Sequence, residues 1–515
     1  MLNKLESKKI YLILLAIILF VGFLLRIAYI SEQSYWIDEG FTNNAVISTI
    51  EKGEPRLDSG FLYKRSILNT YVIATSVRLF GFNHFATRLP AVLFGTVLIL
   101  IIYLFSKELF KNERVALLSA GLTSLSYLQI AWSRQARMYM QFEVFFFLAI
   151  YLFYLTLRKQ TWTRFSLLIA STVAAIFSHE FGLLLIPLYL FGYLLYFYGP
   201  FVEDHESVKK TKSDLNRFLA KYFWYVFAFF VAIVPLAGIK AYSLFFSRLI
   251  ENLDDGDAAK EFFIGGQFIN LFQQDNLLLI IGAIMGVLIY ILFNKKMYPG
   301  LFLFLTFVLP FYIIISSTDL LHLRYLTFLS PILLIFIAYF VSTVIEVIAK
   351  RLKSNDLYVN LAIVLVLVLV PVFSAAFVIW PQATYKLEFR TPQPDFKAAY
   401  AEIEKAGFSD KDIIISPYPA MDKVYLGRSD YWLPISLSGK SSEVERERSL
   451  YTGAPKFLDF DNLKPNRNYY LVLDEMAINR LGKEFLNYLE EFHEMIYFGQ
   501  TKKMSLSRIW VFRLQ

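Results

Sequence analysis

Long apolar runs recur along this chain, and they restrict it to one kind of architecture. Segments near 10–30, 89–106, 115–131, 138–157, 164–178, 181–198, 222–239, 276–293, 298–315, 325–348 and 357–380 are each apolar over much of the length a span needs, about 17–25 residues. The segment 164–178 is the shortest of them. In lipid every backbone N–H and C=O must be satisfied internally, so runs of this length are read as helices. With 57% hydrophobic and 18% aromatic residues, the chain is far too apolar for a soluble protein of its size. Ile10–Ile30 is too long for a signal-peptide core and no small-residue cleavage site follows it, so it is expected to be retained. The expected fold is a polytopic α-helical membrane protein.

Basic residues set the expected topology. Between the first two runs, Ser66–Phe80 is apolar but interrupted by Asn69, Thr70, Thr75, Ser76 and Arg78. Taken as a helix lying in the interface, it leaves about eleven transmembrane helices and puts the basic clusters on one side. These are Lys4, Lys8 and Lys9; Lys107, Lys111 and Arg114; Arg158, Lys159 and Arg164; Lys209, Lys210, Lys212, Arg217 and Lys221; Lys295 and Lys296; and Lys350, Arg351 and Lys353. That is a positive-inside pattern, with the N-terminus cytoplasmic and the C-terminus outside. From Gln382 onward 19 basic residues balance 19 acidic ones, so the net charge of +8 lies in the membrane part. It therefore reports topology and does not call for a nucleic-acid partner.

Residues 1–380 are thus expected to form the membrane domain, and 381–515 an extracytoplasmic α/β domain entered through the proline-containing stretch Pro381–Pro394. In that domain Phe396–Ala406 has helical spacing, Asp412–Ser416 and Tyr469–Leu473 read as buried strands, and Ser507–Leu514 as a closing strand. The chain has no cysteine and five histidines. Disulfides and thiolate metal sites are excluded, no cofactor is called for, and nothing argues for a divalent metal. Asp254-Asp255-Gly256-Asp257 lacks the later glutamate of a calcium loop and reads as a solvated turn.

The expected outer face carries the residues with chemical potential. Asp38 and Glu39, in Trp36-Ile37-Asp38-Glu39-Gly40-Phe41-Thr42, are adjacent carboxylates just beyond the first apolar run. Carboxylates at such a border are costly unless used, paired or placed at a helix N-terminus. Lys64, Arg65, Arg88, Arg134, Arg137 and Arg324 run against the positive-inside trend. Each could snorkel to lipid headgroups. As a group beside two acids they suggest a polar cavity in which cations hold a phosphate and a carboxylate takes a proton from an incoming hydroxyl or amine. Trp36 and Trp132 read as interface aromatics.

The ordered set W-I-D-E-G-F-T, Lys64, L-F-G-F-N-H-F-A-T-R-L-P-A (79–91), S-R-Q-A-R-M-Y (133–139), S-H-E-F-G (178–182) and L-R-Y-L (323–326) resembles the GT-C membrane glycosyltransferases, in the branch of protein O-mannosyltransferases and the lipid A aminoarabinose transferase. The resemblance implies a polyprenyl-phosphate sugar donor, an extracytoplasmic lipid, glycan or protein acceptor, and inversion at the sugar carbon, in a multi-pass protein of the cell membrane. It implies that Asp38 is the catalytic base and that Glu39 positions it or shares its charge. Two acids in contact would split their proton affinities. It implies donor-phosphate roles for Lys64, Arg137, Arg324 and Tyr325. Where relatives read Lys-Pro-Pro-Leu this chain has Lys-Arg-Ser-Ile, and Gln135 stands where many relatives carry an acid. Tyr139, His179 and Glu180 are possible substrate-binding residues, although a histidine at such a turn is also a common hydrogen-bonded structural element. Arg88 is expected to pin the interfacial helix. Two other readings are a transporter or lipid flippase, which would show internal halves and charges within spans, and a membrane scaffold with an outer receptor domain.

Overall fold

The computed structural model describes residues 2–198, 212–217, 280–294, 297–317, 323–373, 394–435, 467–500 and 508–514, with a few positions between 453 and 464. The expected span at 222–239, the loop 241–275 with its aspartate turn, and nearly all of Pro381–Pro394 lie outside the described residues.

In chain order the helices are α1 (Leu2–Ile27), α2 (Ile37–Lys52), α3 (Ile67–Phe80), α4 (His84–Phe110), α5 (Glu113–Leu125), α6 (Tyr127–Trp132), α7 (Tyr139–Arg158), α8 (Trp162–Ser178) and α9 (Leu185–Tyr198). They continue with α10 (Ile280–Phe293), α11 (Tyr298–Ser317), α12 (Ser330–Arg351) and α13 (Asp356–Phe373). Among the described residues six helical segments are long and apolar enough to cross a membrane, beginning with Lys9–Ile27 and ending with Thr327–Arg351. Shorter apolar helices occur at Ile67–Phe80, Trp162–Ser178, Ile280–Phe293 and Asp356–Leu369. The chain is a polytopic helical membrane protein. The expected span 115–131 is not one helix. Ser126 has extended backbone (φ −61°, ψ 124°) and divides it into α5 and α6.

Two compact units form. One comprises Met1–Arg26, Leu93–Ser133 and Met138–Trp380; the other Ile27–Val92, Arg134–Arg137 and Pro381–Gln515. In the first, α5 packs on α12 and α13, and α7 on α8 and α9. Its core is rich in phenylalanine and leucine, including Phe105, Phe142, Phe146, Leu185 and Ile335. Caps delimit the helices: the Asn112 side chain accepts from the Arg114 N–H (2.9 Å) at the start of α5, and Thr161 does the same for Arg164 (3.4 Å) in α8. Arg26 is fully buried near the end of α1. It donates to the carbonyls of Gly22 (2.9 Å), Ser124 (3.1 Å) and Thr123 (3.2 Å) and to Ser133 Oγ (3.1 Å). One guanidinium thereby ties α1 to the ends of α5 and α6, and its four hydrogen bonds offset part of its desolvation.

The second unit holds α2, α3, residues 134–137 and the C-terminal region. Val46, Ile73, Ala74, Val77, Ala86 and Ala136 form a small core that joins α2 and α3 to the 134–137 segment. The C-terminal region contributes α14 (Phe396–Lys405), α15 (Pro419–Leu426), α16 (Glu475–Leu481) and α17 (Lys483–Phe492). Its strands are β1 (Ile413–Ser416), β2 (Tyr431–Trp432), β3 (Tyr469–Asp474), β4 (Glu494–Gln500) and β5 (Arg508–Leu514), in a sheet ordered β2-β1-β3-β5-β4. β1 pairs parallel with β2 and β3, whereas β3, β5 and β4 pair antiparallel. The continuous apolar runs of β1 and β3 match strands covered on both faces. β2 and β4 did not stand out in the sequence, because one is two residues long and the other is only half covered.

Helix α15 packs directly on α2. A Cβ at Gly40 would sit 2.6 Å from Met421 Sδ, so the glycine after the acid pair allows this approach. Asn44 Nδ2 donates to the Ala420 carbonyl (3.4 Å), Tyr425 Oη accepts from the Tyr35 N–H (2.9 Å), and Lys423 pairs with Asp58.

Two buried acids brace the C-terminal fold. Asp422 accepts from Tyr400 Oη, Ser416 Oγ (2.8 Å) and Ser429 Oγ (2.9 Å), and Asp474 accepts from Tyr418 Oη (3.1 Å) and the Ala477 N–H (2.8 Å). Burial outweighs these bonds and raises Asp422 to about 7 and Asp474 to about 6. Each folded-state value lies above the ordinary 3.8, so the folded form binds the proton more tightly. Their contribution is fully present at pH below about 4 and is lost as pH rises through 6 and 7. Thermal unfolding of the full chain in detergent is expected to show stability falling from pH 5 to pH 8, and Asp422→Asn to flatten that slope; an unchanged slope in the variant would contradict this account.

Candidate active site

The two adjacent acids have separate partners. Glu39 is fully buried and faces Arg88, equally buried, through Nε–Oε1 (2.9 Å) and Nη2–Oε2 (2.8 Å). This two-point geometry is the strongest a carboxylate and a guanidinium can make. Glu39 also accepts from the Ala136 N–H (2.7 Å) and the Trp36 N–H (3.3 Å), the latter bond closing the start of α2. Arg88 further donates to the carbonyls of Ile30 (3.0 Å), Gln33 (2.9 Å) and Ser34 (2.9 Å). Arg88 therefore pins the segment leading into α2 as well as the helix itself.

Asp38, in the first turn of α2, keeps 26% of its side chain exposed. Its Oδ2 lies 3.4 Å from Arg137 Nη2. Arg137 is nearly buried and is fixed by Nη1 bonds to Thr42 Oγ1 (2.8 Å), Tyr63 Oη (3.0 Å) and the Asp38 carbonyl (3.0 Å). Its guanidinium also stands 6.0 Å from the Trp36 ring centroid, an outer-range cation–π contact. Lys64 follows Tyr63 directly and is exposed. The structure thus joins Asp38 to Arg137, keeps Lys64 one residue from an Arg137 partner, and turns Glu39 to support. Arg134 is buried and donates to the Ala28 carbonyl, so it braces backbone.

Tyr35 secures the same region. Its ring stacks on His84 at 3.9 Å, its hydroxyl is 2.8 Å from Thr87 Oγ1, and the Arg88 guanidinium lies 4.9 Å from its centroid. Tyr63 was not singled out by the sequence, and Tyr35 and Thr42 stood there only as flanks of the acid pair, with no role of their own.

The other predicted residues collect in the transmembrane unit. Tyr139, His179, Arg324 and Tyr325 line one small cavity with Phe142, Glu143, Phe181, Thr327 and Phe328. His179 caps α8, and its Nδ1 accepts from the Phe181 N–H (3.2 Å), which leaves the proton of the neutral ring on Nε2. Its ring lies 5.8 Å from Tyr139 and 5.4 Å from Phe142. The chain turns tightly after it, and a Cβ at Gly182 would come within 2.5 Å of the Ile176 N. Arg324 lies 5.4 Å from the Tyr325 ring centroid, and that ring meets Phe181 edge-on at 5.8 Å. Glu180 is half-buried in the turn and is not part of the lining. Glu143 and Arg26 were overlooked in the sequence, although a lone charge inside an apolar run is a readable signal. Among the described residues no three histidine, aspartate or glutamate side chains converge.

The family of dolichyl-phosphate-mannose-protein mannosyltransferases matches over residues 64–204. An uncharacterized protein of Aquifex aeolicus is 24% identical over 230 residues, 44% of this chain and 44% of its own, so the match spans less than half of that relative. The crystal structure of ArnT from Cupriavidus metallidurans bound to undecaprenyl phosphate aligns over 99% of this chain and 98% of its own, with 13% identity and a TM-score of 0.56. This chain has the GT-C fold. An oligosaccharyltransferase of Archaeoglobus fulgidus, tethered to an acceptor peptide, aligns over 98% of this chain and 74% of its own, with 13% identity and a TM-score of 0.55. In the GT-C fold of this chain, Asp38 and Arg137 fall within the second unit and Arg324 within the first.

The Glu39–Arg88 pair generates a test. Arg88→Met leaves a buried carboxylate without its cation and is expected to cost about 3–5 kcal/mol. Adding Glu39→Gln, which keeps an acceptor for the Ala136 N–H, is expected to restore part of the loss. Thermal unfolding in detergent measures both, and a single variant as stable as the wild type would remove the pair from its structural role.

Proposed function

We propose that this protein is an inverting glycosyltransferase that moves a sugar from a polyprenyl-phosphate carrier to an extracytoplasmic lipid, glycan or protein acceptor. The observation that carries the reading is the division between the two acids. Glu39 is locked to Arg88, while Asp38 stays reachable, with Arg137 3.4 Å away to hold its orientation. In this mechanism the acceptor oxygen attacks the anomeric carbon, Asp38 takes the hydroxyl proton, and the carbon–phosphate-oxygen bond breaks with its electrons going to the polyprenyl phosphate. Attack opposite the leaving group inverts the sugar carbon.

Lys64 and Arg137 are proposed to stabilise charge on the departing phosphate, and Arg324 with Tyr325 to bind the donor phosphate from the transmembrane unit. The undecaprenyl phosphate bound by ArnT and the family match at residues 64–204 support a lipid-linked donor. Fold likeness to these proteins favours the transferase over the transporter and scaffold readings. The charge pattern supports a plasma-membrane protein with a cytoplasmic N-terminus and its chemistry on the outer face.

Asp38→Asn is expected to lower transfer by about 100- to 10,000-fold and to leave membrane insertion intact. The assay supplies purified protein with radiolabelled polyprenyl-phosphate sugars and follows label into acceptors. Near-wild-type turnover in the variant would remove Asp38 from the base role.

A further inference from the structure

Glu143 lies one helical turn beyond Tyr139 on α7 and is followed by the apolar run Val144–Ile150. It is fully buried, and neither carboxylate oxygen has a hydrogen-bond partner among the described residues. Gln129, Thr327 and the Arg26 guanidinium lie near enough to act on it electrostatically, while no group among the described residues meets hydrogen-bond geometry at either oxygen. The Gln129 amide nitrogen is engaged by Ser330 Oγ (3.1 Å) and, at 3.4 Å, by the Thr327 carbonyl, and its oxygen has no partner either. An acid inside a membrane bundle is expensive to keep, and one whose oxygens accept no hydrogen bond among the described residues has capacity left for a ligand.

The cavity that Glu143 lines states what that ligand must bring. A buried carboxyl group accepts hydrogen bonds and, when protonated, donates one, so the ligand groups that match it are hydroxyls, which do both. His179 adds an Nε2–H, and Tyr139, Phe142, Phe181 and Phe328 add aromatic surface. Arg324, half-buried, offers an anion site in the same lining. Hydroxyl donors and apolar ring faces at one end, with a phosphate at the other, describe a glycosyl phosphate. We propose that Glu143 is a sugar-recognition residue, accepting hydrogen bonds from ring hydroxyls of the lipid-linked donor. This rests on the transferase reading above. The cavity is closed to a water-sized sphere in this conformation. Seating one hydroxyl-bearing edge of a sugar there requires the lining, which includes the half-buried Arg324 and Tyr325, to give way.

The test compares wild type and Glu143→Gln in detergent for binding of undecaprenyl phosphate and of undecaprenyl-phosphate mannose, glucose and galactose. Wild type is expected to bind at least one sugar-bearing carrier more tightly than the bare phosphate. The variant should keep its affinity for the bare phosphate and lose about 10- to 100-fold for that sugar-bearing carrier, the loss expected when buried hydrogen-bonding partners are mismatched. Glu143→Asp keeps the carboxyl group with a shorter reach and should lie between the two, which preserves the test if the glutamine variant does not fold. A variant that binds the sugar-bearing carrier like wild type, or loses both ligands in parallel, would overturn the inference and leave the transferase reading standing. Wild-type protein that binds no carrier would overturn the transferase reading, and this inference with it.

Discussion

The ion pair between Glu39 and Arg88 is the interaction on which the candidate active site depends. Both charges are fully buried, and isolated burial of either would be costly. The pair is sustained because every remaining polar atom finds work. Arg88 binds three carbonyls of the segment leading into α2, and Glu39 takes the Ala136 and Trp36 N–H groups. Three pieces of chain far apart in sequence, the stretch before α2, the start of α4 and residues 134–137, are thereby held by one contact. Asp38 and Arg137 each sit one residue from this anchor, which places them side by side with little freedom of their own.

That arrangement separates two roles that the sequence leaves fused. Adjacent carboxylates in a chain invite the idea of a shared proton. On a helix, neighbouring residues point about 100° apart, and each acid meets a different arginine. The C-terminal region adds a second support, because α15 packs against the same helix that carries Asp38. Gly40 permits that approach, and Tyr35 links His84, Thr87 and Tyr425 around it. Transmembrane charges follow the same economy. Arg26 is consumed by four bonds that tie helices together, whereas Glu143 has no hydrogen-bond partner among the described residues. One is a structural tie and the other is left available.

Much of the architecture was legible in advance. The helices α3, α7, α8, α9 and α11 fall within a few residues of the expected segments, since apolar length is a property of the local sequence. In the C-terminal region β1, β3 and β5 were found from their unbroken apolar runs, while β2 and β4 escaped notice because neither is covered on both faces. The break at Ser126 was invisible for a related reason: hydropathy records what a segment is made of and says nothing of a single extended residue within it. Arg88 was read as a pin for the interfacial helix 66–80, whereas its grip among the described residues is on Glu39 of α2 and on the chain before α2.

By itself the sequence determined that the chain is a multi-pass helical protein, where its apolar helices run, and which polar residues stand at their ends. Those conclusions need only composition, run length and charge placement, all of which are local. Which acid is locked and which stays reachable was decided by the tertiary structure alone. So were the assignment of Arg88 to Glu39 and Arg137 to Asp38, and the placing of Glu143 in a cavity lining with no hydrogen-bond partner among the described residues. Pairing of charges is settled by distances between residues dozens to hundreds of positions apart, and in a low-dielectric interior it is those distances that fix what each charge can do.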